Sequence, residues 1–498
     1  RTFLTLCTQM GGPPLPGFRR ASSILSDLVL QDLRPIIHQF SQTVNLNLKA
    51  KPSVSDTASQ SDWPTLYAKH LAIWNGRLEA ALEAANCDSA VILAGDERLR
   101  HRDDLPYAFA AEPYFKAWLP LTRHPGSALK LTPGEQPKLL LLREKGFWHE
   151  PVKSPEGFWV EHFEIREVPD AETIGAELQL DVARTAVIGE ASATVAERSA
   201  ENEAAVLQAL DYHRAYKTAY EIACVAEANA IAARGHVAAA TAFEAGASEF
   251  ELNAAYLGAS TQTETDLPYP NIVALNEHAA MLHYQNLKRE RPDTVHSFLI
   301  DAGAQHHGYA SDITRTYSSS DDEFRSLIAA MDVMQQTICN EVVNGISFAA
   351  LNDRAHELLA GVLAEQELIL CSAAEAYEGG MTTTFLPHGL GHLLGLQVHD
   401  VGGRLAGPDG SEHPPSEKHP KLRMTRPLES SMVATIEPGL YFIPSLLDEL
   451  RKSPLGRNVH WDRIAALQAC GGIRVEDDIV VTDEGARNLS RPALRAAA

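Results

Sequence analysis

Acidic and imidazole groups recur in this chain where apolar residues or glycines are expected, and their types are those that hold metal ions. The run Ser297-Phe-Leu-Ile-Asp301 through Asp312-Ile-Thr-Arg-Thr-Tyr317 reads as two short strands joined by the turn residues of Gly303–Gly308, each strand carrying one carboxylate, Asp301 or Asp312. A carboxylate buried in a strand is costly unless something positive meets it, and two on adjacent strands repel. Alone, this stretch reads equally well as a surface hairpin with two solvated aspartates. Phe385–Asp400 holds His388, His392 and His399 among apolar residues and glycines. One such histidine would be an ordinary core residue; three in a glycine-rich segment, where backbone can approach closely, suit a crowded site. Glu437 ends the apolar run Ala434-Thr-Ile before Pro438-Gly439. Arg474 and Glu476 lie two apart in the apolar stretch Ile473–Val481, hence on one face of a strand, where an internal ion pair is the simplest account. Arg423 and Arg426 form a pair that reads as surface charge or as an anion clamp.

Together Asp301, Asp312, Glu437 and Glu476 supply four carboxylates and His392 one imidazole. Oxygen-rich ligation with one nitrogen suits Mn²⁺, Co²⁺ or Zn²⁺. Four carboxylate charges balance two divalent cations, and a pair of metals about 3.5–4 Å apart can hold a bridging hydroxide and stabilise the oxyanion formed on a carbonyl. That is machinery for hydrolysis. The glycines of Gly389–Gly395 do not match a dinucleotide fingerprint.

These groups need two kinds of frame. From Trp63 to about 205, helical spacing over Tyr67–Ala85 alternates with short apolar strands at Ala90–Ala94, Lys138–Leu142 and Thr185–Gly189, predicting an α/β domain. From 206 onward the texture is helical first, with capping boxes at Thr218/Glu221 and Ser248/Glu251 and a helix stop at Gly246. Strands follow at Asn271–Leu275, the opening hairpin, Met432–Ile436 and Ile473–Val481, with helices over 322–343 and 348–366, predicting an α+β domain. Residues 1–60 read as a disordered extension with one possible helix around 24–40.

The bulk properties exclude other classes. A chain of 498 residues holds two or three domains. Its net charge of −22 argues against a nucleic-acid surface, and no apolar run approaches the roughly 18–20 residues of a membrane span. Six scattered cysteines without a Cys-x-x-Cys pair suit a cytoplasmic protein.

In order and context, the five ligand-bearing positions resemble those of the pita-bread metallopeptidases, family M24, which includes methionine aminopeptidase, aminopeptidase P and prolidase. Asp266-Leu-Pro-Tyr-Pro-Asn-Ile-Val-Ala-Leu-Asn-Glu277, Leu282-His-Tyr284, Pro113–Pro120, Phe147-Trp-His149 and His213–Lys217 are similar to the bacterial Xaa-Pro dipeptidase group, which includes organophosphate-hydrolysing members. The resemblance spans about 65–491 and implies an N-terminal α/β domain, a pita-bread catalytic domain, a homodimer and two divalent metals, manganese first. It implies that Asp301 and Asp312 bind one metal, that Asp312 and Glu476 bridge, and that His392 and Glu437 complete the other site, with Glu437 accepting the proton of the bridging water. His399 and His283 resemble the histidines at the scissile carbonyl and leaving nitrogen, and Arg423 the arginine that grips the proline carboxylate, with Arg474 nearby. His388, Tyr269 and Leu422 would line the pocket, and Asp104 and Trp148 would close it. The expected activity is hydrolysis of Xaa-Pro dipeptides. Organophosphate hydrolysis at the same site, or a metal-free binding protein, are the alternatives. The pair His306-His307 is expected to face solvent at the turn.

Overall fold

The computed structural model describes residues 62–143, 153–190, 195 and 199–498. The extension 1–60, its expected helix and Trp148 lie outside them. Chain order begins with helix α1 (Trp63–Ala84), whose Trp63, Tyr67, His70, Leu71, Trp74, Leu78 and Leu82 recur every three or four residues and are buried as one stripe. Five strands follow: β1 (Ser89–Leu93), β2 (Ala128–Leu131), β3 (Lys138–Leu142), β4 (Glu164–Val168) and β5 (Thr185–Ile188). They form one sheet in the order β4-β3-β2-β1-β5. β1–β5 and β3–β4 are parallel, whereas β2 pairs antiparallel with both neighbours, so the sheet is mixed. Helices α2 (Pro113–Trp118), α3 (Ala171–Leu178) and α4 (Ala200–Arg214) complete this half.

Both predicted capping boxes form. Thr218 and Glu221 start α5 (Ala219–Glu244), and Ser248 and Glu251 start α6 (Glu249–Ser260). Gly246 stands between them at φ +89°, the left-handed conformation that ends a helix without a Cβ penalty. Strands β6 (Ile272–Leu275), β7 (Ser297–Asp301) and β10 (Thr314–Ser318) form a sheet in the order β10-β7-β6. The turn between β7 and β10 is itself a small hairpin, β8 (Gln305–His306) with β9 (Tyr309–Ala310), closed by His307 and Gly308 at φ +50° and +86°. Positive φ at both central residues is what a two-residue hairpin turn requires. Asp312 therefore lies two residues before β10, not within a strand as expected.

A second set of helices and strands follows. It comprises α7 (Glu323–Glu341), α8 (Phe348–Glu365), β13 (Val433–Ile436), β14 (Gly439–Tyr441), β15 (Gly472–Arg474), β16 (Asp477–Thr482) and β17 (Gly485–Asn488), with the short pair β11 (Ile346–Ser347) and β12 (Pro427–Leu428) between. The single strand expected over 473–481 is two strands. β15 pairs with β14 and β16 with β13, so the chain changes partner at Val475–Glu476, where Glu476 N–H donates to the Thr314 carbonyl at 3.1 Å.

The two halves share one hydrophobic cluster: Trp63, Tyr67, Trp74, Phe115 and Trp118 pack with Tyr220, Tyr309, Leu394, Leu396, Val433 and Val480. The His306-His307 pair packs against this seam and is half-buried, not the exposed pair expected. Both rings lie within 5.6 Å of Trp63, and burial lowers the pKa of both. No described helix is long and apolar enough to cross a membrane.

Candidate metal centre and catalytic cleft

The glycine-rich histidine segment runs beside β13, with Thr435 N–H donating to the His392 carbonyl at 2.9 Å and Glu437 N–H to the Leu390 carbonyl at 2.8 Å. Gly391 makes this approach possible, because a Cβ there would lie 2.1 Å from the Thr435 carbonyl oxygen. The pairing places His392 Nε2 3.6 Å from Glu437 Oε1 and 3.5 Å from Asp312 Oδ2. Asp312, His392 and Glu476 each present a ligand-type atom within 4.8 Å of the others, and all three residues are buried. His392 Nδ1–H donates to the Leu393 carbonyl at 3.0 Å, which orients the ring and turns Nε2 toward the carboxylates. Asp301, at the end of β7, is ion-paired with Arg474, and Tyr269 Oη lies 2.8 Å from Asp301 Oδ1 and 2.5 Å from Asp312 Oδ1.

The electrostatics fit a cation site. Burial, then the charges of Asp312, Glu437 and Asp301, push the Glu476 carboxyl well above its usual range. Burial and the neighbouring aspartates raise Glu437 to about 7, against the opposing pull of His392 and Arg474. Burial raises Asp301 too, although Arg474 opposes it. Burial would lower His392, but its hydrogen bond to Asp312 and the charges of Glu437 and Asp312 lift it to about 9. Carboxyls crowded and dehydrated beyond what one arginine and one histidine compensate are a donor set suited to divalent cations.

A pH dependence follows for the metal-free protein. Glu437 keeps its proton to about 7 when folded against an ordinary 4.5, so the folded state binds more protons than the unfolded chain and stability falls as pH rises across that window. His392 contributes fully below its ordinary 6.5, and that contribution is lost as pH climbs through about 9. A divalent ion held by His392 and Glu437 would displace both protons, so the rise in thermal midpoint on adding Mn²⁺ should grow from about pH 5 to about pH 8. Melting curves with and without the ion check this; a gap that shrinks with rising pH contradicts it.

Asp301 and Asp312 open onto a cavity of about 1390 Å³ that Tyr269, His283, Leu396 and His399 also line, with Tyr107 and Lys116 on the α/β side. His399 meets His392 edge-on at 4.5 Å between ring centroids. Burial, then the charges of His392 and Arg423, lower His399 to about 4, so it is neutral at pH 7. His388 is held by a relay. Arg474 donates to the Tyr441 hydroxyl at 2.9 Å, which lies 2.9 Å from His388 Nε2, while His388 Nδ1 lies 2.8 Å from the Gly389 carbonyl. Leu422 is buried, and a Cβ on Gly389 would lie 3.0 Å from its Cδ1.

Several expected residues lie elsewhere or act differently. Arg474 is buried and bonded to Asp301, to Tyr441 and, through Nε at 3.1 Å, to Thr314 Oγ1; it lies beneath the carboxylates and its guanidinium is occupied by protein. Its distance to Glu476 Oε2 is 3.9 Å, so the main ion pair is with Asp301 and not with Glu476 as the spacing suggests. Arg426 is no clamp: it is buried over Tyr212 and donates to the Tyr216 hydroxyl at 2.7 Å. Arg423 is exposed and makes no ion pair among the described residues. Asp104 is exposed on a loop and does not line the cavity.

Sequence reasoning missed the residues that orient the ligands. Thr314 Oγ1 donates to Glu476 Oε2 at 2.6 Å. Asp478 Oδ2 accepts from the Asp312 backbone N–H at 3.0 Å and from Asn229 Nδ2 at 2.7 Å. The signal was there in part: strand alternation puts Glu476 and Asp478 on one face and Asp477 on the other, where it meets Arg315 and Arg491. The partners themselves come from distant segments.

Residues 223–483 match the profile of metallopeptidase family M24, and residues 65–212 match that of the Xaa-Pro dipeptidase N-terminal domain. A protein of Stenotrophomonas maltophilia (strain R551-3) named Xaa-Pro dipeptidase is 46% identical over 439 residues, covering 88% of this chain and 99% of the relative. One of Xanthomonas campestris pv. campestris (strain B100), of the same name, is 45% identical over 439 residues, covering 88% and 100%. Among solved structures, proline aminopeptidase P II from Yersinia pestis gives a TM-score of 0.62 at 23% identity, covering 88% of this chain and 97% of that one. A zinc-substituted E. coli aminopeptidase P in complex with product gives 0.62 at 23%, covering 89% and 99%. The structural likeness establishes the fold: an α/β N-terminal domain before a pita-bread domain.

Proposed function

This chain belongs to metallopeptidase family M24, a family of metal-dependent hydrolases, and from that membership we propose that it is a dinuclear Xaa-Pro dipeptidase, cleaving the peptide bond before a C-terminal proline. The observation that carries the reading is the convergence of Asp312, His392 and Glu476 at one point beside a cleft. The name shared by relatives that match nearly end to end supports the substrate class.

Asp301 and Asp312 would hold one divalent ion and His392 and Glu437 the other, with Asp312 and Glu476 shared; Mn²⁺ is the first choice, Co²⁺ or Zn²⁺ the alternatives. Such ions, when bound, supply an activated water and polarise a carbonyl. Glu437 would take the proton of the attacking water. His399, neutral at pH 7, offers one N–H toward the carbonyl oxygen, and His283 on the same cavity wall attends the leaving nitrogen. Proline leaves a tertiary amide without N–H, so nothing in the site need accept a hydrogen bond from it. Arg423, exposed and without an ion pair among the described residues, receives the proline carboxylate. The cleft exceeds the roughly 300–1,000 Å³ of small-ligand pockets, and the segment around Trp148 or Asp104, from this chain or a second subunit of a homodimer, would close it. The free cysteines among the described residues accord with a cytoplasmic protein.

A carboxylate clamp measures substrate length. With Mn²⁺, an Xaa-Pro dipeptide should be hydrolysed and an Xaa-Pro-Xaa tripeptide left intact. Equal turnover of the tripeptide, followed by chromatography of the products, would make the protein an aminopeptidase and sink the dipeptidase reading.

A further inference from the structure

Next to His399, and apart from the ligands, lies a set of buried charges that the chemistry above does not use. The Asp400 carboxylate is wholly buried and ion-paired to Arg214 Nη2 at 2.6 Å and Lys217 Nζ at 2.8 Å, both equally buried. Burying three charges is a poor route to stability, since well-packed apolar side chains of similar volume serve as well or better. Their geometry is more informative. Arg214 Nη2 also donates to Gln397 Oε1 at 2.8 Å, and Lys116, from α2 of the α/β half, donates to the Leu396 carbonyl at 2.9 Å. Three cations from outside the segment thus hold it at Leu396, Gln397 and Asp400.

His399 sits between those anchors with no hydrogen bond of its own among the described residues; its ring only meets His392 edge-on. Its direction must come from the backbone on either side. Gly395 allows the arrangement: a Cβ there would lie 2.5 Å from Asp400 Oδ2 and 2.6 Å from Lys217 Cε. Backbone bonds from Ala310 N–H to the Gly395 carbonyl at 2.8 Å and from Asp400 N–H to the Leu393 carbonyl at 2.9 Å close the frame.

We propose that Arg214, Lys217 and Lys116, acting through Asp400, Gln397 and the Leu396 carbonyl, are positioning residues that aim His399 into the cleft. The inference rests on the role given to His399 above. It is tested with Asp400→Asn and Lys116→Met, each made alone and on His399→Ala, measuring kcat, KM and thermal midpoint on an Xaa-Pro dipeptide with Mn²⁺. Alone, each should lower kcat by about tenfold or more while KM changes less than about threefold, since a misplacement near 1 Å can cost ~100-fold. On His399→Ala the same substitutions should change kcat by less than about twofold, because nothing remains to be aimed. A full repeat of the loss in that background overturns the inference, as does a loss confined to KM. If Asp400→Asn does not fold, Lys116→Met, which leaves the Arg214–Asp400–Lys217 trio intact, carries the test. His399→Ala without effect on kcat would instead remove the role of His399 and this inference with it.

Discussion

Removing divalent metal is expected to abolish hydrolysis of an Xaa-Pro dipeptide, and Mn²⁺ is expected to restore it as the protein takes up two ions per chain. The expected loss is large, because an ion that lowers the pKa of water from 15.7 to about 7 replaces a nucleophile that no side chain here could generate. The geometry gives the two-ion count a specific shape. Asp312, His392 and Glu476 already converge, so they form the better prepared position. Asp301 is turned to Arg474 and Tyr269, and Glu437 Oε2 lies 3.7 Å from His388 Nδ1, so these two proposed ligands would have to exchange protein partners for metal. Two stoichiometric steps of unequal affinity are therefore expected, the tighter one abolished by His392→Ala. Elemental analysis of equilibrated protein decides between outcomes. One ion at full activity would leave a metallopeptidase but sink the dinuclear mechanism; full activity after exhaustive chelation would sink both.

The positions that sequence made legible share a physical reason. An acidic or imidazole residue in an apolar run is an anomaly that can be read without knowing its neighbours, and Asp312, His392 and Glu476, which the fold brings together, each stand out that way. Capping boxes at Thr218 and Ser248 were legible because donor and acceptor are three residues apart. What failed depended on pairing between distant segments. The break between β15 and β16 arises because Glu476 meets Thr314 and leaves the ladder that β15 makes with β14. Spacing pairs Arg474 with Glu476 and the resemblance puts it near substrate, and neither can tell a free guanidinium from one already bound to Asp301. The His306-His307 pair reads as solvent-facing because a hairpin turn is normally exposed, whereas this one is half-buried against Trp63 at the seam. Arg214, Lys217 and Asp400 each looked unremarkable in their own segments, and only the fold makes them one cluster.

Arg423→Ala should lower kcat/KM for an Xaa-Pro dipeptide by about thirty- to a hundredfold, yet barely change it for the same dipeptide carrying a C-terminal carboxamide. Truncating one partner of a buried hydrogen-bonded charge pair costs roughly 2–5 kcal/mol, and the lower part of that range applies where the bound proline covers Arg423, which is exposed in the free protein. The wild-type protein should discriminate between acid and amide by a similar factor, and Arg423→Ala should erase that discrimination. This cycle isolates the contact from general damage, since a distorted cleft would slow both substrates alike. It also separates the two arginines. Arg474→Ala strips Asp301 of its buried counter-charge and Tyr441 of a donor, so it should harm acid and amide equally and weaken metal binding. If Arg423→Ala slows both substrates alike while Arg474→Ala restores parity between them, the clamp has been assigned to the wrong arginine.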